Sequence, residues 1–187
     1  MKQKTVVIWG ASGHALVVAD IIKLTGLYAI TGFLDDLNPE RCGTSFGGFT
    51  ILGGQDQLEK LRFIGVEYII FGFGDNFARL KLSELVTRRG FHLATAIHPT
   101  TTVANDVEIG AGSVICAGVV INPGALIGAN AIINTSASVD HECSIAEGVH
   151  IGPGVHIGGQ VTVGRAAWIG IGAIIKDKVS IGAGSII

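Results

Sequence analysis

Charge is scarce in this chain. Of its 187 residues only 15% are Asp, Glu, Lys or Arg, and the two signs nearly cancel to a formal net charge of −2. Such a balance sets up no overall field toward nucleic acid or an anionic membrane, so neither is expected as a partner. Cysteine is scarce too. Cys42, Cys116 and Cys143 are odd in number and lack paired spacing, which excludes a disulfide frame and a cysteine-rich zinc site. They read as reduced thiols, and the expected location is cytoplasmic. Long apolar runs are also missing. The start, MKQKTVVIWG, breaks at Gly10 and reads as a first strand, not a signal peptide. Residues 112–133 carry no charge, but Asn122, Pro123 and Asn130 interrupt them, so no membrane insertion is expected. Apolar residues, at 48%, are plentiful. So little charge on so apolar a chain implies that some surface is covered by other copies.

Periodicity organises the second half. Every sixth residue from Ile97 to Ile187 is Ile or Val, without a slip. Two residues before each stands a small or β-branched residue, such as Ser113, Ala125, Ala137, Cys143 or Val155. The residue after each is usually Gly, Asn, Asp or Ala and is read as the corner, where left-handed backbone angles are tolerated. A period of six fits neither a helix nor a simple alternating strand. It fits a solenoid of very short parallel strands, with coils rising by about 4.8 Å and both the aliphatic residue and the small residue facing inward.

The unbroken [IV]-G-x-x-x-x pattern resembles the hexapeptide-repeat acyltransferases. That resemblance implies a left-handed parallel β-helix with three hexads per coil, hence about five coils here. The chain stops at Ile187, on a core position and without a polar cap. Solenoids need capped ends, so the natural polypeptide is expected to continue.

Residues 5–95 follow a different plan. Apolar strands are expected at residues 5–9, 28–34, 67–73 and 91–97, and helical pieces at 16–26, 58–63 and 78–89. The alternation implies a small parallel sheet, giving an α/β N-terminal Rossmann-like domain (1–95) ahead of the β-helix (96–187). Ligands of such sheets sit at the carboxyl ends of the strands. GASGHA, with Gly10, Ser12, Gly13 and His14, stands where a diphosphate would meet backbone N–H groups, although a plain strand-to-helix turn would look similar. His14 has a second reading as a cap on the first helix. Asp35 and Asp36 end the second strand, where an acid takes hydroxyl or imide hydrogens, or simply turns the chain. Gly74, in GFGDN, is expected to complete the crevice; it too can be read as a turn.

The combination of GASGH with NTSASVDHEC and GVHIGPGVHIGG is similar to the sialic acid O-acetyltransferase group, which includes N-acetyltransferases of nucleotide-linked amino-deoxy sugars. The resemblance spans essentially the whole chain. It implies acetyl-CoA as cosubstrate, a nucleotide sugar on the front domain, a homotrimer with active sites between subunits, and a place in polysaccharide biosynthesis. It assigns His141 as general base, Asp140 as its acidic partner, and His150 as a second histidine near the acetyl group. Gly159 supplies a backbone N–H for the thioester oxygen, and Asn134 belongs to the same site.

The residues carry part of this by themselves. A neutral imidazole accepts a proton near neutral pH at little cost, and an adjacent carboxylate can fix its tautomer. With eighteen residues per coil, His141 and His150 lie on opposite sides of the prism and approach only between copies. Zinc held between subunits, as in some hexapeptide-repeat proteins, is not expected, because the spacing His-x8-His-x5-His departs from theirs. His156 reads as structural, His98 as a surface residue, and Cys143 as a poor nucleophile. Arg165, Lys176 and Lys178 read as a solvated face or as partners of CoA phosphates. The alternatives to N-acetyl transfer are acetylation of a sugar hydroxyl and a non-catalytic nucleotide sensor.

Overall fold

The computed structural model describes residues 3–187. By internal contacts it divides into two compact units, residues 1–73 with 82–94 and residues 74–81 with 95–187. The second unit thus takes in a segment, residues 74–81, that the sequence assigns to the front domain.

The front unit is a parallel sheet. Its strands are β1 (Lys4–Trp9), β2 (Tyr28–Leu34), β5 (Tyr68–Phe71) and β6 (His92–Leu93), in the order β2-β1-β5-β6. Helix α1 (Gly13–Thr25) joins β1 to β2 and stops at Gly26, whose φ of 64° lets its N–H close back on the Ile22 carbonyl at 3.1 Å. β3 (Ser45–Phe46) and β4 (Phe49–Thr50) form a hairpin that no periodicity announces; Gly47 and Gly48 make its turn, both at positive φ. α2 (Leu58–Phe63) precedes β5, and α3 (Asn76–Arg88) follows it. The core is apolar, with Val7, Leu34, Leu58, Ile69 and Val86 all fully buried. Residues 91–97, expected as one strand, divide in two. The Ala94 N–H donates to Ile69 in the front sheet, and the Ala96 N–H donates to Ser113 in the solenoid.

The second unit is the left-handed parallel β-helix. Two-residue strands stack into three five-stranded sheets. The first face holds Ala96–Ile97, Val114–Ile115, Ile132–Ile133, His150–Ile151 and Trp168–Ile169. The second includes Val120–Ile121, Ser138–Val139 and His156–Ile157, and the third includes Leu126–Ile127, Ser144–Ile145 and Thr162–Val163. The register is uniform, each residue pairing with the one eighteen positions on, as in Ile132 with His150 and Ser138 with His156. Both expected inward columns form the core, Ile133 and Ile151 from one and Ala131 and Val149 from the other. Each full aliphatic burial contributes on the order of 1.5–3 kcal/mol.

The corner differs from its expected form. The left-handed residue is the third after each core aliphatic, not the first: Gly112, Gly118, Gly124, Asn130, Ser136, Glu142, Gly148, Gly154, Gln160 and Ala166 all have positive φ. Glycine directly after the aliphatic answers a different demand, close approach of the next coil. A Cβ on Gly128 would stand 2.5 Å from the Glu147 nitrogen, and one on Gly110 2.3 Å from the Ala129 nitrogen. The two kinds of glycine therefore fail differently. Gly154→Ala, with open space around it, is expected to cost about 1–2 kcal/mol in backbone strain. Gly128→Ala must also push two coils apart and is expected to cost clearly more in urea unfolding; equal costs would show that the stack yields freely.

Candidate active site

The front unit places the first group of predicted residues at the end of β1. Gly10, at φ 117°, donates its N–H to the Leu34 carbonyl at 2.8 Å, and a Cβ there would press on the Gly72 backbone at 3.1 Å. Only glycine fits. Ser12 is the N-cap of α1 in an extended conformation, and its hydroxyl makes no cap bond. Ser12 and Gly13 are exposed and His14 is half-buried, at the helix end whose amides are not used within the helix.

Of its two expected readings, Asp35 takes that of a turn residue. It is buried and accepts hydrogen bonds from the Leu37 and Asn38 N–H groups, the Asn38 side-chain amide and Arg41, the last as an ion pair of 2.9 Å. That many donors leave it a structural role, closing the turn after β2. Arg41, which sequence reasoning passed over, also donates to the Ala11 carbonyl and so ties the GASG turn to the end of β2. Asp36 is exposed; it accepts from the Trp9 indole at 2.6 Å and the Gln55 N–H at 2.7 Å.

In the solenoid the predicted residues gather into two groups. The first lies at the corner between the second and third faces. A Cβ on Gly159 would stand 2.6 Å from His141 Nε2, so the ring occupies space that only glycine leaves. The Gly159 N–H has no acceptor among the described residues, while its carbonyl accepts from Lys178 at 2.9 Å. The acid that touches the imidazole is not Asp140. Asp140 Oδ1 accepts from the His141 backbone N–H at 2.7 Å and from Asn122 Nδ2 at 2.9 Å, and these bonds hold its carboxyl below the usual carboxylate range. Glu142 is the ring's partner. Its Oε2 lies 3.1 Å from His141 Nδ1 and accepts from Gln160 Nε2 at 2.8 Å; the Gln160 and His141 bonds hold its carboxyl low. At φ 56° Glu142 sits on the left-handed corner, where the chain reverses and adjacent side chains can meet. With Nδ1 donating to Glu142, Nε2 is left to accept a proton. Asp140, His141, Gly158, Gly159, Gln160, Lys176 and Lys178 border an open recess of about 600 Å³. Arg165 is instead paired with Glu147 at 2.5 Å.

The second group stands on the first face, the side of the triangle opposite that corner. His150 stacks on Trp168 with 5.9 Å between ring centres and 19° between planes. Asn134 Nδ2 lies 3.4 Å from His150 Nε2, and Asn134 Oδ1 accepts the Thr135 N–H at 2.8 Å. Gly74 belongs to this unit, against the His150 ring. Gly74, His150 and Trp168, with Phe77 and Ile186, line a cavity of about 400 Å³. Trp168 and Phe77 had no prior signal beyond being apolar. His156 bonds Ser138 Oγ at 2.8 Å on the outer side of the second face, and His98 Nδ1 accepts from the Thr100 N–H, so both serve local structure.

The cysteines of the core are poor nucleophiles. Burial pushes the Cys116 thiol up to about 12, and burial likewise raises Cys143, whose thiol donates to the Gly158 carbonyl. No group of three or more His, Cys, Asp or Glu residues fit to hold a metal ion occurs among the described residues, nor does a helix long and apolar enough to cross a membrane.

Burial, and after it the nearby Arg79 charge, lowers His150 to about 4. The unfolded chain protonates this ring near 6.5. Between those values only the unfolded state carries the proton, so stability falls as pH drops through this window, by at most about 3 kcal/mol. His150→Gln is expected to flatten that limb in urea titrations at about pH 4.5 and about pH 7. An unchanged slope would mean that the folded ring titrates normally.

The PglD N-terminal domain family matches residues 5–86. Among solved structures, GDP-perosamine N-acetyltransferase from Caulobacter crescentus, crystallised with CoA and GDP-perosamine and with a histidine replaced by alanine, is 37% identical. The match covers 97% of this chain and 84% of that one, at a TM-score of 0.92. The acetyltransferase domain of PglB from Neisseria gonorrhoeae is 34% identical over 99% of this chain and 91% of that one, at a TM-score of 0.76. WeeI from Acinetobacter baumannii AYE, at 22% identity, 98% and 96% coverage and a TM-score of 0.72, shares the fold. A comparison with curated protein sequences gives no match. Two-unit architecture, hexad register and identity over nearly the whole length agree: the chain belongs to the hexapeptide-repeat nucleotide-amino-sugar acetyltransferases.

Proposed function

We propose that the protein transfers the acetyl group of acetyl-CoA to the amino group of a nucleotide-linked amino-deoxy sugar, with His141 as general base. The observation that carries this reading is the His141 corner: an imidazole oriented by Glu142 through Nδ1, with Nε2 packed against Gly159, whose N–H has no acceptor among the described residues. The similar enzyme from Caulobacter crescentus, bound to CoA and GDP-perosamine, supports this substrate class, and the PglB acetyltransferase domain in complex with acetyl coenzyme A supports the donor.

A sugar ammonium releases one proton to solvent before its nitrogen can attack the thioester, and the attacking amine must lose a second as the amide forms. His141 Nε2 takes that proton, and the Glu142 carboxylate stabilises the imidazolium that results. Negative charge grows on the thioester oxygen as the new C–N bond forms, and the Gly159 N–H is the donor placed to meet it. The C–S bond then breaks. A thiolate is a fair leaving group, so His141 can return its proton to sulfur and no stronger acid is required. Transfer is direct, since neither core cysteine is a competent nucleophile. Lys176 and Lys178 border the same recess and suit the phosphates of CoA. On the front unit, Gly10, Ser12, Gly13, His14 and Asp36 are proposed to receive the nucleotide.

His141 and His150 stand on opposite sides of one prism, which supports a homotrimer in which the corner of one copy meets the first face of the next. His141→Ala is expected to lower kcat by about 10²–10⁴ while the protein stays folded. Light scattering should give three copies per particle. Co-refolding His141→Ala with His150→Ala should recover about a quarter of native turnover, because some interfaces then carry both rings. No recovery from two folded, mixed variants would sink the shared site.

A further inference from the structure

A buried cluster beside His150 has no part in the proton transfer just described. Arg79, at the end of the first turn of α3, is 1% exposed. Its guanidinium donates to the Gly74 carbonyl at 2.7 Å, Asn76 Oδ1 at 2.9 Å, the Gly148 carbonyl at 3.0 Å and the Asn130 carbonyl at 3.3 Å. Asn76 extends the grip, its amide donating to the Ala166 and Ala167 carbonyls at 3.0 Å each. Asn130, Gly148 and Ala166 are eighteen residues apart, the same left-handed corner in three successive coils. The next strand of the middle coil begins with His150.

Burying a guanidinium is costly, and an apolar side chain would fill the site more cheaply if nothing depended on the charge. What depends on it is the setting of the ring. Gly74 has Nδ1 and Cε1 of His150 as its nearest contacts, 3.6 Å from where its Cβ would stand. His150 also hydrogen-bonds the Gly74 backbone. Nδ1 is therefore the nitrogen that donates to Gly74, and Nε2, toward Asn134, is an acceptor. The guanidinium donates to the Gly74 carbonyl as well. The Trp168 stack limits rotation of the ring.

We propose that Arg79 is a positioning residue for His150: by fixing the Gly74 carbonyl and the stacked corners at Asn130 and Gly148, it locks the ring in the Nδ1–H tautomer and keeps Nε2 a hydrogen-bond acceptor, met by the Asn134 amide at 3.4 Å in the free protein and taken over by a donor of the bound ligand. The group this nitrogen takes is thus an N–H or O–H donor, such as an amide of the pantetheine arm, and not an anion. The charged groups around the ring are Arg79 itself and Asp75, which lines the same cavity. Burial lowers Arg79 to about 10, so it keeps its charge at neutral pH, and that charge adds to burial in keeping His150 neutral.

The tautomer can be read directly by nitrogen NMR of the ring in the wild-type protein, with no substrate present. Expected are a protonated Nδ1, an unprotonated Nε2 and no titration down to about pH 4. A protonated Nε2 overturns the proposal, whatever any variant does. Arg79→Met removes charge and grip together: the midpoint should rise by about one unit and both tautomers should appear. Arg79→Lys keeps the charge but cannot span four oxygens, so its midpoint should stay low while the tautomers mix. A folded Arg79→Met whose His150 spectrum matches wild type overturns the idea equally. The ligand's part rests on the acetyl-transfer reading and has its own readout, a KM for acetyl-CoA raised about tenfold or more in Arg79→Met. Wild-type protein without turnover would refute that reading while leaving the ring spectra to decide the role of Arg79.

Discussion

The ladder between successive coils is the constraint on which the solenoid and its chemistry rest. Each two-residue strand is too short to hold itself, and it persists because its N–H and C=O groups are paired with the coils on either side, as where Ile132 donates to Val149 and Asn134 to Ile151. That pairing fixes an eighteen-residue step. The step in turn brings Gly159 beneath the His141 ring, Gln160 beside Glu142, and Trp168 against His150. A slip of one residue would turn the aliphatic columns outward and dissolve all three contacts together. Function here is written in the register, not in any one strand.

The same step explains how an exposed histidine acquires an orientation. On a loop, an imidazole and a neighbouring carboxylate commonly diverge. Here Glu142 occupies a left-handed corner, and Gln160 in the next coil holds its carboxylate from the far side. Corners also present a column of carbonyls with no partner in the ladder. In the segment that begins α3, Arg79 and Asn76 collect three levels of that column, so a buried charge clamps three successive coils.

The front unit solves a different problem with the same economy of polar groups. Asp35 and Arg41 are fixed to each other, and Arg41 reaches the turn that follows β1. The glycine-rich turn is thereby pinned at its own carbonyl, while the exposed residues at the start of α1 stay available. Two adjacent aspartates thus divide the work, one closing a turn and one, Asp36, lying exposed at the surface.

The sequence by itself determined the solenoid and its inward columns. These are periodic facts, and an unbroken period dictates which residue stacks on which. It also located most elements of the front sheet, because apolar alternation and glycine stops are local signals. Tertiary structure alone decided the rest. Which of two flanking acids meets His141 depends on side-chain direction at a left-handed corner, and adjacency in sequence does not encode direction. Gly74 was read with the front crevice but lies with His150, and Arg79 gave no signal at all, because both act through contacts with corners more than fifty residues away. The glycines after each aliphatic residue were legible as a pattern, yet their cause, the backbone of the coil stacked against them, exists only once the coils have closed.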